Sequence, residues 1–137
     1  MSYTVLGETV NLASRLEGAS KLYGTRILAS ADTIAAAGDA LETREVDRTI
    51  VLGETRPQTI YEIIGRKGEL TPAQIELKIR FAEGLTAYRE RRWNEARDAF
   101  AAAAEDGPSR VLLKRIEGFA AAPPAENWDG VWRLDQK

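Results

Sequence analysis

Neither cysteine nor histidine occurs among the 137 residues of this chain. Without thiols there are no disulfides and no thiolate metal sites. Without imidazole, the commonest general base near neutral pH and the usual zinc ligand are both excluded. A metal would have to be held by carboxylate or carbonyl oxygens, which favours magnesium. A one-sided charge is missing as well: 19 Lys and Arg stand against 21 Asp and Glu, leaving a net charge of −2. That balance does not suggest a nucleic-acid partner. No apolar run approaches the roughly 20 residues of a membrane span, and no signal peptide is visible. The expectation is a soluble, cytoplasmic chain with no membrane segment of its own.

What is present is ordinary for a globular protein: 44% hydrophobic and 29% charged residues, enough chain for one domain or two small modules. The pattern changes near Gly65–Gly68, from short β-rich runs with two helical stretches to almost continuous helix. Ser2–Leu6 is β-prone. From Thr9, an N-cap candidate, Leu12, Leu16, Ala19 and Leu22 form one helical face that ends at Gly24. Arg26–Ala29 is a short strand candidate, and Ser30–Ala37 a short helix opened by Ser30 and closed by Gly38. Leu41–Val46, Thr49–Leu52 and Thr59–Ile64 are further strand candidates, with a turn from Gly53 to Pro57. Asp32 reads as a first-turn charge, Asp39 as a turn residue and Asp47 with Arg48 as a solvated turn pair.

Three helices are predicted in the second half. Thr71-Pro72 opens one with the stripe Ile75, Ile79, Ala82 and Leu85. The next carries Trp93, Ala96, Phe100 and Ala103, and the third begins at Pro108 with Leu112, Ile116 and Phe119. The tail Asn127–Lys137 holds two of the three tryptophans and reads as a segment that packs back on the rest. Gly84, Ala96, Phe100, Ala103 and Pro108 resemble the spacing of a tetratricopeptide repeat. Tyr88 falls one position late and Glu83 stands where leucine is expected. The plainer alternative is a helical hairpin.

The chemistry is concentrated in GETVNLASRLEG, Gly7 to Gly18. Asn11 and Arg15, four apart on a helix, point the same way and away from Leu12 and Leu16. Asparagine is a poor interior helix residue, so local stability does not account for it. An amide beside a guanidinium fork suits charge developing on a phosphoryl group. Spacing alone nevertheless favours the plainer alternative, a solvated arginine beside a surface asparagine.

The longer string YTVLGETVNLASRLEG resembles the C-terminal signature of class III nucleotide cyclases, the adenylate and guanylate cyclases, as do YGTRILAS and REVDRTIVLGETRPQTIYEIIG. The resemblance covers about residues 1–65, and the tail with WDGVW is similar to that of bacterial membrane-anchored sensor cyclases. It implies a partial ferredoxin-like cyclase sheet with helices over residues 1–67; with the all-α tetratricopeptide-like hairpin or three-helix region read over 68–122 and the Trp-containing tail over 123–137, the expected fold is α+β. It implies that Asn11 orients the substrate ribose and Arg15 stabilises the triphosphate in the transition state. Thr4 occupies the purine-reading position, where a hydroxyl favours ATP over GTP, and the main chains of Val5 and Leu6 line the base pocket.

The chain also departs from that pattern. The family's two aspartates for magnesium (or manganese) lie on earlier strands, upstream of Met1, so no metal ligand is expected within this chain. Leu52 and Glu54 stand where the family has phosphate-binding lysines around Gly53, and a carboxylate there repels phosphate; nothing places Arg48 or Arg56 to compensate. The expectation is the C-terminal portion of an adenylate cyclase, inactive alone. Its expected partners are ATP, a second copy or full-length cyclase chain, and a protein on the helical tail. The rival is a degenerate, non-catalytic interaction module. The half-sheet should have a poorly covered apolar face and edge.

Overall fold

A computed structural model describes residues 19, 22–25, 27–50 and 55–133. It is α+β, as expected: a four-stranded mixed sheet accompanied by four α-helices among the described residues. In chain order the elements are β1 (Leu28–Ser30), α1 (Ala31–Ala37), a short 3-10 turn (Gly38–Ala40), β2 (Leu41–Ile50), β3 (Gln58–Arg66), α2 (Pro72–Arg89), α3 (Trp93–Ala101), α4 (Gly107–Ala121) and β4 (Trp132–Arg133). The sheet order is β1-β3-β2-β4, antiparallel except for β4, which runs parallel to β2.

The helix starts are set by local chemistry. Ser30 caps α1 by accepting from the Thr33 amide at 3.3 Å, and Asp32 lies in the first turn. Thr71 and Gln74 form a reciprocal capping box at the start of α2, with Pro72 behind it. Asp106 caps α4 by accepting from the Ser109 amide at 3.1 Å.

Four sequence expectations are corrected. Leu41–Val46 and Thr49–Leu52 are not two strands split by a turn at Asp47-Arg48; Leu41–Ile50 is one strand with an irregularity between Glu45 and Asp47. The buried positions change parity there, from Arg44 and Val46 to Asp47 and Thr49, as one extra residue in a bulge requires. Asp47 is therefore fully buried rather than solvated. On α2, Ile75 and Ile79 are exposed, and the core face is Phe81, Gly84, Leu85 and Tyr88. A Cβ on Gly84 would lie 2.7 Å from the Phe100 ring, so this glycine must face α3. At about 100° per residue, that turns Ile75 and Ile79 to the opposite side. At the end of the first helical segment, Tyr23 is buried and Leu22 exposed, because the Tyr23 hydroxyl has partners inside.

Two apolar clusters result. Phe81, Leu85, Tyr88, Ala96, Phe100, Leu112 and Ile116 pack among α2, α3 and α4, and Trp93, Phe119 and Trp128 surround Tyr88 with ring centroids 5.2–6.3 Å away. The second, smaller cluster is Ala19, Tyr23, Leu28, Val46 and Ile60, with Val111 of α4 against it. The tail does pack back: Trp128 joins the aromatic cluster, and Trp132 on β4 pairs with Thr49 of β2. β4 meets the β2 edge only at Thr49 and Ile50, so most of that edge has no strand partner among the described residues.

Candidate functional site

The residues predicted to act on substrate, Thr4, Val5, Leu6, Asn11 and Arg15, lie outside the described residues, as do Leu52, Gly53 and Glu54. What the structure does show is how the two stretches leading to them are anchored. Tyr23 lies eight residues after Arg15, and Asp47 lies five before Leu52. Their side chains meet: the Tyr23 hydroxyl donates to the Asp47 carboxylate at 2.5 Å.

Arg115 of α4 completes this group. Its Nη1 donates to Asp47 Oδ2 at 2.6 Å and its Nη2 to the Tyr23 hydroxyl at 2.9 Å. The second Asp47 oxygen accepts from the Arg48 amide at 2.8 Å. Both charged side chains are nearly inaccessible, 5% for Arg115 and 0% for Asp47. The Trp132 ring lies over the guanidinium, 4.3 Å from its centroid. Burial, reinforced by the Asp47 charge, raises the Tyr23 pKa well above the usual phenol value. Burial opposes the charge on Arg115, but Asp47 outweighs it and keeps the guanidinium protonated.

A second charged group lies along β2. Arg44 forks onto both Asp106 oxygens at 3.0 and 2.7 Å, and its Nε donates to Glu62 on β3 at 2.8 Å. Its guanidinium lies over the Phe81 ring, 4.8 Å from the centroid. Burial would raise the Asp106 pKa, yet the Arg44 and Ser109 donors hold it below its ordinary value. Arg44 thus joins two strands, the α4 cap and the helical core.

These groups hold the fold; they are not placed to react. Tyr23 is kept protonated and cannot serve as a base at neutral pH. Among the described residues Asp47, Glu62 and Asp106 are engaged by arginines, and no three Asp or Glu side chains gather in metal-binding geometry. The magnesium implied by the cyclase resemblance does not fit these carboxylates. A cleft of about 360 Å³ beside Gly24 is lined by Arg44, Glu62, Gln74, Lys78 and Asp106, three of which are already bonded to one another. Arg48 and Arg56 are exposed. Among the described residues no helix is long and apolar enough to cross a membrane.

Read from sequence alone, Arg44, Glu62 and Arg115 have no role and Asp47 is a solvated turn residue, whereas the structure buries Arg44, Asp47 and Arg115 in ion pairs. One signal was available: Arg115 falls on the same helical stripe as Leu112, Ile116 and Phe119, where a charge must find a buried partner.

Two known proteins share sequence with this chain. Adenylate cyclase 1 of Rhizobium meliloti (strain 1021) is 42% identical over 65 residues, 47% of this chain and 10% of that protein. The terminal-differentiation specific adenylate cyclase of Dictyostelium discoideum is 31% identical over 123 residues, 84% of this chain and 6% of that protein. The chain therefore spans a tenth or less of the length of these relatives, and the similarity supports an adenylate cyclase relationship. No protein-family model and no solved structure matches it.

Proposed function

We propose that this chain is the C-terminal portion of a class III adenylate cyclase catalytic region followed by a tetratricopeptide-like helical segment, and that it contributes Asn11 and Arg15 to a shared active site. The observation that carries this reading is the string YTVLGETVNLASRLEG, together with the similarity to two proteins named adenylate cyclase. The reaction is attack of the ATP ribose 3′-hydroxyl on the α-phosphate, with pyrophosphate as the leaving group. Arg15 binds the charge that develops on the phosphates, Asn11 holds the ribose, and Thr4 with the Val5 and Leu6 main chains receives the adenine. Metal ions, held by aspartates outside residues 1–137, would neutralise the phosphates in phosphoryl transfer of this kind. The site lies at an interface with a second copy or a longer cyclase chain.

The test is complementation. The purified chain is mixed with ATP, magnesium or manganese, and a cyclase chain that keeps its metal aspartates but has lost its own asparagine and arginine. Cyclic AMP should form in the mixture and not from either chain alone. Arg15→Ala should lower the rate about a hundredfold. Activity that survives Arg15→Ala defeats the assignment.

A second reading is favoured by Leu52 and Glu54, which replace phosphate-binding charge: a non-catalytic module that uses its helices to bind a protein. A mixture that stays inactive while each chain is folded supports it.

A further inference from the structure

We propose that Arg115 is a positioning residue for the cyclase site, holding from the helical tail Tyr23 and Asp47, which lie in sequence eight residues after Arg15 and five before Leu52; this rests on the reading above. One guanidinium contacts both anchors, Asp47 at 2.6 Å and Tyr23 at 2.9 Å, and these also bond to each other. The guanidinium presents its two donors in a fixed planar fork, whereas a lysine ammonium would approach the same acceptors from a flexible stem that orders them less. The tail also closes the guanidinium from outside through Trp132.

The backbone is matched to the same contact. A Cβ on Gly107, at the start of α4, would lie 2.2 Å from the Tyr23 carbonyl oxygen, so α4 seats directly on the end of the first helical segment. The bulge in β2 turns Asp47 to the buried side, where Arg115 reaches it. A purely apolar brace would need none of these polar partners. What they add is fixed direction at Tyr23 and at Asp47, and a misplacement of about 1 Å in a phosphoryl-transfer site can cost about a hundredfold in rate.

The experiment uses the full chain with Tyr23→Phe and Arg115→Lys. Tyr23→Phe keeps the aromatic packing and the Asp47–Arg115 pair, so it preserves the fold. Amide hydrogen exchange is read on peptides covering Ala19–Gly24 and Arg44–Ile50. Both variants should exchange about tenfold faster there, with α2 and α3 unchanged. In the complementation mixture both should lose about tenfold in kcat with KM for ATP little changed. Unchanged exchange overturns the proposal, and so does a lowered unfolding midpoint with unchanged kcat in an active mixture. A wild-type mixture that makes no cyclic AMP overturns the cyclase reading instead.

Discussion

In the helical half, Phe81, Leu85, Tyr88, Phe100, Leu112 and Ile116 close an aromatic-rich core from elements adjacent in sequence. In the sheet half, Ala19, Tyr23, Leu28, Val46 and Ile60 form a smaller core bordered by buried Arg44, Asp47 and Arg115. Apolar packing is non-directional and tolerates repacking. Buried charges need named partners, and a lost partner leaves a desolvated ion. The two halves are therefore tied by charges that each supplies to the other, Asp47 to Arg115 and Asp106 to Arg44, and by the short pairing of β4 with the end of β2.

Removing residues 67–137 is the most severe way to break this comparison. It takes away Asp106, Arg115 and β4, and the remaining chain should show no cooperative thermal transition by circular dichroism. A sharp monomeric transition would mean that the sheet is self-sufficient.

Next comes Arg115→Ala, which should cost about 3–5 kcal/mol in urea unfolding by stranding Asp47. The double variant Asp47→Leu/Arg115→Met should recover most of that, because well-packed apolar groups need no partner. If the double variant is as weak as the single one, the pair itself is the stabilising element.

Glycine replacements compare the two halves more finely. Gly107→Ala presses a Cβ on backbone at 2.2 Å, whereas Gly84→Ala presses on the Phe100 ring at 2.7 Å. Overpacking of this kind costs about 1–3 kcal/mol, and the backbone clash should be the larger because it cannot rotate away. Phe100→Leu should relieve Gly84→Ala; no side-chain change at Tyr23 should relieve Gly107→Ala.

Acid gives a smaller effect. The folded Asp106 pKa lies below its ordinary value of 3.8. The unfolded chain then takes up the proton first. The stabilisation is complete above the ordinary value and lost as pH falls through the folded one. Unfolding midpoints should therefore drop on the acid side of that value, less steeply in Asp106→Asn. Smallest of all is Glu76→Gln, which removes an exposed partner of Arg80 and should leave the midpoint unchanged.

Helix positions were legible because their causes lie within a few residues. Ser30, Thr71 with Pro72, and Gly38 mark ends by bonds and dihedrals made on the spot. The stripes of α3 and α4 were legible for the same reason. The stripe on α2 was not, because Gly84 had to meet Phe100 of another helix, and that rotated Ile75 and Ile79 outward. Asp47 beside Arg48 has the look of a turn, and only a bulge and a partner 68 residues away show otherwise. The proposed substrate residues belong to a contiguous string, legible without any tertiary contact, and lie outside the described residues.

The order of residues is enough to settle features whose causes are nearest neighbours: the missing thiol and imidazole chemistry, the caps at Ser30 and Thr71, and the core faces of α3 and α4. Only the packed chain settles which charges are buried and with whom. Arg115 becomes an anchor only when α4 brings it to Asp47 of β2, because a buried ion is stable only where another segment supplies its counter-charge.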